Sequence, residues 1–352
     1  MEINTKYRNS SFELLRIISM FLIILHHFSV HGTFSSNVTF SFEKIANEVL
    51  QLGGKIGVNL FVLIGSYFLI GKKFEFKRVI NVILNVIFYS YILFIVALVL
   101  DWPVINLPSI LASVFPIPRA YWFPNYYILL LLCTPALNIL IESFTKKQYR
   151  NALLLLTVVC VLIPSFFNVE VGYTYLTLFI YLYLIAGYIK IYADSFFENQ
   201  LYVLSFFIAS LALTIFSIFY LNYLGINHQA ALLRSDFFLE ANKLLTFTTS
   251  LSLFFIFKNI NLKNNKTINL IAGSMFGVYL IHDNLLVRTM LWKYVDSQKI
   301  NGGFTFLLYG ILISLIIFSS CIVIDLLKRL FLDKYINQLT NKFSNFLSKT
   351  FL

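Results

Sequence analysis

Ten apolar runs, each near the twenty residues that carry a helix across a hydrocarbon core, follow one another along this chain with short polar connections between them. Few architectures accept such a pattern, because in lipid every backbone amide and carbonyl must be satisfied within its own helix or within a closed barrel. The runs lie near 11–31, 49–70, 79–100, 121–142, 152–168, 173–191, 201–222, 239–257, 267–291 and 304–327. They predict an all-α fold, a polytopic transmembrane helical bundle of about ten spans. Of the 352 residues 59% are hydrophobic and 12% charged, which leaves no polar block large enough for a separate soluble domain. A transmembrane domain over 1–330 and a basic amphipathic tail over 331–352 are expected. Pro164 is expected to break the last turn of the short fifth run.

Basic residues cluster in alternate connections. Lys6 and Arg8, then Lys72, Lys73, Lys77 and Arg78, then Lys146, Lys147 and Arg150, then Lys190, then Lys258, Lys263 and Lys266, and finally Lys328, Arg329, Lys334, Lys342 and Lys349 fall on one side. The other side holds only Lys44, Arg119, Arg234, Lys293 and Lys299. The asymmetry predicts cytoplasmic termini with ten spans between them, in a protein expected as a multi-pass protein of the plasma membrane, and it assigns the net charge of +11 to topology rather than to nucleic acid. Cys133, Cys160 and Cys321 lack any paired spacing for zinc or a disulfide framework, so no metal site is expected. No small-residue cleavage site of the usual kind follows the first run, which makes it a retained helix rather than a signal peptide. No internal repeat stands out. Ile336, Leu339, Phe343, Phe346 and Leu347 recur at helical spacing in the tail and read as an interfacial helix on the inner leaflet.

Charges inside apolar runs carry the functional information. Arg16, Lys55, Lys243 and Arg288 are each costly against lipid, so each faces the protein interior or an aqueous cavity, or snorkels to an interface. In "LLRIISMFLIILHHFSVHG" the eleven residues from Arg16 to His27 return the histidine to within about 20° of the arginine's azimuth, roughly 16 Å further along the axis. His26 is rotated a quarter turn away and His31 lies one turn beyond, which leaves both as a polar helix end. The ninth run places His282 and Asp283 past its midpoint and Arg288 nearer its outer end. In the second, Lys55 and Asn59 share a face beside Gly53, Gly54 and Gly57. A buried polar centre in the outer half of the membrane is expected from these placements. Trp122 and the following tyrosines read as an interfacial aromatic belt, with Asn125 and Tyr126 alternatively lining the mouth of a cavity.

Several stretches together resemble the integral-membrane acyltransferase 3 family, the O-acetyltransferases of bacterial surface polysaccharides. Arg16, ten residues and His27 match that family's first-helix motif; "GVNLFVLIGSYFL" (57–69) resembles its second helix, with Gly65-Ser66 inverting the usual Ser-Gly step. "YWFPNYYILLLLCTPALN" (121–138) resembles its middle helix, and "GVYLIHD" (277–283) its Tyr-Leu-Ile-His signature. The order is the family's, and no extracellular hydrolase-like domain of the kind some members append is present in the chain. The resemblance implies transfer of an acyl group, usually acetyl from acetyl-CoA as donor substrate, to a hydroxyl of a capsule, exopolysaccharide, cell-wall or lipid-linked glycan, with no bound cofactor. It implies His27 as general base and Arg16 as the residue engaging the CoA donor. Lys55, Asn59 or Tyr126 are expected oxyanion donors, Trp122 a part of the substrate pocket, and His282 either a support of the acceptor pocket, an orienter of a catalytic group or a helix–helix hydrogen bond. A transporter or flippase of lipid-linked sugars, or a glycan polymerase, would also suit ten spans with buried charges.

Overall fold

A computed structural model describes residues 9–32, 40–192, 195–295, 297 and 300–351, and among them it is helical with no strand. Lys6, Arg8 and Lys299 lie outside the described residues. Its helices include α1 (Ser10–His31), α2 (Phe42–Leu69), α3 (Phe76–Val99), α4 (Trp122–Ser143), α5 (Lys146–Phe167), α6 (Tyr175–Ile191), α7 (Gln200–Leu224), α8 (Leu244–Asn259), α9 (Lys266–Ala272), α10 (Met275–His282), α11 (Leu285–Tyr294) and α12 (Gly303–Phe351). Polar caps mark several starts: Asn9 accepts from the amides of Ser11 and Phe12, Ser41 from Lys44, and Thr145 and Thr174 form capping boxes.

Every predicted run falls on one of these helices or on the α9–α11 series, and the chain is a multi-pass membrane protein. Among the described residues seven helices are long and apolar enough to cross a bilayer, or eight if the broken pair around residue 283 forms one span. The helix α6 has 17 residues and α8 has 16, short of the usual span. Exposed Ile95 and Leu98 on α3, Phe206 and Phe216 on α7, and Leu312 and Ile316 on α12 form the apolar exterior that lipid solvates.

At the centre stands α2, with Leu60, Val62 and Ile64 fully buried. It packs along α1 and also meets α6, α8 and α12. The α1–α2 approach depends on Gly57, where a Cβ would lie 2.5 Å from the Ser19 carbonyl oxygen. At the start of α2, Lys44 is buried but fully engaged: its Nζ donates to Glu48, to Asn222 Oδ1 (2.9 Å) and to Ser235 Oγ (2.7 Å). Lys243 stands just before α8 and donates to Glu170 Oε1 (2.8 Å) and the Pro164 carbonyl (3.1 Å), so it ties two segments together.

Two expectations are corrected. Pro164 does not break the fifth helix; α5 starts earlier than expected and runs through to Phe167, with a π-helical turn over Val158–Leu162 that ends one residue short of the proline. The ninth run is not one helix: it divides at Gly273-Ser274 and again at Asp283-Asn284, where the chain turns by 80°. The tail is helical and shares its helix with the last apolar run, because α12 spans 49 residues and continues unbroken to Phe351.

Pro135, in the interior of α4, cannot donate to the Leu131 carbonyl. The neighbouring Thr134 takes over, its hydroxyl donating to Leu131 O at 2.7 Å. Thr134→Val is expected to destabilise the protein by about 1–3 kcal/mol, the cost of a buried carbonyl left without a partner. Thr134→Ser should restore the stability, as thermal unfolding in detergent would show; equal stability of all three forms would mean that the carbonyl finds another donor.

Candidate active site

Two parallel segments bring the polar residues to one level. At their inner ends, Ser10 Oγ accepts from the Asn265 amide (2.8 Å) and Ser11 Oγ donates to the Ile260 carbonyl (2.6 Å). Seventeen residues then lead from Ser10 to His27 on α1, and seventeen from Asn265 to His282 on α9 and α10. The equal spacing places the two imidazoles side by side, His27 Nδ1 2.9 Å from His282 Nε2.

Around this pair the polar groups form a connected cluster. His282 Nδ1 donates to the Val278 carbonyl at 2.6 Å. Asp283 Oδ1 lies 3.8 Å from His27 Nδ1 and 3.1 Å from Arg288 Nη1, so the carboxylate stands between the histidine and a guanidinium. The 80° turn makes this possible, because it returns Arg288 to the carboxylate five residues before it. Asn284 holds the turn: its Oδ1 caps α11 by accepting from the Leu286 amide (3.1 Å), and its Nδ2 donates to Tyr121 Oη (2.9 Å). Tyr121 in turn donates to the Leu280 carbonyl (2.8 Å). His27 and His282 are 8% and 1% exposed, too little for water to replace these partners.

His27 opens onto a cavity of about 440 Å³. Arg16, Met20 and Ile23 line it before His27, and His31 and Arg288 line it beyond, so it extends along α1 for roughly 22 Å from Arg16 to His31. Its other walls include Lys55 and Gly65 of α2, Trp122 and Tyr127 of α4, and Phe276 of α10. Arg16 is fixed there by Glu13, whose two carboxylate oxygens lie 3.0 and 3.1 Å from Arg16 Nη1. Lys55 Nζ donates to Tyr175 Oη (2.5 Å), lies 3.7 Å from Glu240 and sits over the Trp122 ring.

The structure brings Arg16, His27, Lys55 and Trp122 onto this one cavity, with His282 behind His27. It separates the others. Asn59 is fully buried with Nδ2 donating to the Ala241 carbonyl (2.9 Å), since α2 is packed on both sides and the step from Lys55 to Asn59 crosses from the cavity to the opposite contact. Tyr126 packs on Tyr175 and Phe179, and Asn125 donates to the Pro118 carbonyl (2.7 Å). His26 and His31 are not merely a polar helix end: both line the cavity, His26 Nδ1 donates to the Gln51 carbonyl (3.0 Å), and the His31 ring lies 5.2 Å from that of His27. Ligating atoms of His27, His31 and Asp283 fall within 4.8 Å of one another, a spacing that admits a cation, and the Arg288 charge on Asp283 opposes one. The partner of Arg16 is the residue that sequence reasoning passed over, although a carboxylate three residues before an arginine on a helix signals such a pair.

Compared with known families, residues 9–326 match the acyltransferase 3 model, described as an acyltransferase domain. No curated protein and no solved structure matches the chain significantly.

The inverted Gly65-Ser66 step acquires a role from the cavity. Gly65 is on the wall, where a Cβ would sit 3.0 Å from Tyr127 Oη, while Ser66 is fully buried in the core. Gly65→Val is expected to narrow the cavity and raise the KM for an acyl donor about tenfold, with the yield of folded protein unchanged. An unaltered KM would show that the donor does not pass Tyr127.

Proposed function

Because the chain belongs to the acyltransferase 3 family, and is thus a membrane acyltransferase, we propose that it moves an acetyl or other short acyl group from acyl-CoA to a hydroxyl of a cell-envelope or lipid-linked glycan. The observation that carries this reading is the single cavity with Arg16 toward one end and His27 toward the other. A donor with a long flexible arm and a charged head suits such a space. Its phosphates meet a cation at the mouth while its thioester reaches the base roughly 16 Å deeper.

In this mechanism the neutral His27 takes the proton of the acceptor hydroxyl as the oxygen attacks the thioester carbon. The new carbon–oxygen bond makes a tetrahedral intermediate with charge on the former carbonyl oxygen. Lys55, on the cavity wall and oriented by Tyr175 and Glu240, supplies the cation for that oxyanion. Collapse breaks the carbon–sulfur bond, and the leaving thiolate receives the proton from His27, which returns to its starting form. Arg16, held by Glu13, keeps guanidinium N–H groups for a phosphate or an amide of the donor.

Basic connections on the Arg16 side support placing the donor in the cytoplasm, both termini on that side, and the protein in the plasma membrane. Exposed Lys72 and Lys73 would add attraction for the donor's phosphates. The glycan then approaches from the outer leaflet, past His31 and Arg288.

The test is transfer of labelled acetyl from acetyl-CoA to envelope glycans in membranes that contain equal amounts of each variant. His27→Ala should lower the rate by about 100- to 10,000-fold. Arg16→Ala should act chiefly on the KM for acetyl-CoA, weakening it by roughly tenfold or more for a lost charge-assisted contact. Full acylation by both variants would overturn the mechanism, and altered glycan export or chain length on deletion without any change in acylation would point to transport or polymerisation instead.

A further inference from the structure

An imidazole has two nitrogens, and His27 is a base only through the one that carries no proton. On the proposed acyl-transfer reading, we infer that His282 is a positioning residue that holds His27 in its Nδ1–H tautomer and so makes Nε2 the atom that receives the acceptor's proton. The hydrogen bonds determine the direction. A carbonyl oxygen can only accept, so the 2.6 Å contact from His282 Nδ1 to Val278 O puts the His282 proton on Nδ1. Nε2 of that neutral ring is then an acceptor, and the group facing it at 2.9 Å, His27 Nδ1, is the donor. The lone pair of His27 remains on Nε2.

Among the described residues no other group competes for His27 Nδ1. Asp283 Oδ1 at 3.8 Å is beyond hydrogen-bond reach and is engaged by Arg288 Nη1 at 3.1 Å. Among the described residues the charged and titratable groups around His27 are His26 and His31 on α1, Lys55 on α2, Tyr279, His282 and Asp283 on the α10 run, and Arg288 on α11. Among them Asp283 supplies the counter-charge. When a proton arrives on Nε2, the imidazolium stands 3.8 Å from a carboxylate, while its Nδ1–H stays with His282 and no proton travels along the chain. When the thiolate leaves, it takes the Nε2 proton, and the Nδ1–H tautomer is restored.

The position of His282 is itself determined by the fold. It is the last residue of α10, immediately before the 80° turn, and its ring uses both nitrogens while only 1% exposed. A plain helix–helix contact would need some polar group here; holding the His27 tautomer needs an acceptor at the Nε2 position in particular.

Two measurements on the full-length protein in lipid nanodiscs test this. The first is nitrogen NMR of ring-labelled histidine, with signals assigned through single histidine variants; both His27 and His282 should show a protonated Nδ1 and a bare Nε2. The second uses His282→Gln, whose amide oxygen reaches the Nε2 position, and His282→Asn, whose shorter amide satisfies Val278 O but gives His27 no acceptor. His282→Asn should lower kcat on the order of 100-fold with the acetyl-CoA KM unchanged, and His282→Gln should recover most of that loss. A His27 signal protonated at Nε2, or a His282→Asn enzyme with the parent kcat, would overturn the assignment. If the expected tautomers are found in a protein that transfers no acetyl, the hydrogen-bond assignment holds and the acyl-CoA reading is the one that fails.

Discussion

The contact between His27 and His282 exists because two helices run parallel and are anchored at the same level. Small hydroxyls do the anchoring: Ser10 and Ser11 bond to the connection that leads into α9, and from there each helix climbs the same number of residues to its histidine. A displacement of one residue along either helix would shift a ring by about 1.5 Å and rotate it by about 100°, enough to lose the bond. The glycines of α2 serve the same end from the other side, since α1 can reach this depth only where a neighbouring helix presents no side chain.

The bundle also carries defects in places where a long apolar helix would have been simpler. At Asp283-Asn284 the backbone leaves helical geometry inside the protein, and the polar side chains at the break satisfy it: Asn284 caps the next helix and bonds to Tyr121. That break gives the site its electrostatics, because a straight helix would carry Arg288 more than a turn away from Asp283. Thr134 beside Pro135 and the π-helical turn before Pro164 show two further local remedies for disrupted helical hydrogen bonding.

Apolar run lengths made the helices legible, because twenty apolar residues in succession have few other uses. The phase of α1 likewise made it legible that Arg16 and His27 share a face, since that depends only on helix geometry, and both line the cavity. The turn at residue 283 was hidden by the apolar residues on either side, which read as a single span. The pairing of Glu13 with Arg16 rests on a three-residue spacing that many unpaired residues share, and His31 reads as a helix end because nothing in its own helix shows that α11 folds back to meet it. Asn59 shows the limit of a shared helical face: forty degrees of rotation is small on a wheel, yet on a helix packed all round it separates a cavity wall from a core contact.

The final helix has implications for the bilayer rather than for the site. Its apolar stretch, 304–327, is about 36 Å long, slightly more than a hydrocarbon core of about 30 Å, and the same helix continues without a break for some twenty residues more. Phe306 near its start is packed on Phe28, and just beyond its apolar part Lys328 donates to Asn85 Oδ1 and Arg329 to the Leu270 carbonyl, so the apolar stretch is held at both ends. A segment held in this way cannot shorten to suit a thinner membrane. Lipids around this face must stretch or compress to match the protein, which makes membrane thickness a variable to which the protein's environment, and its choice of neighbours, will respond.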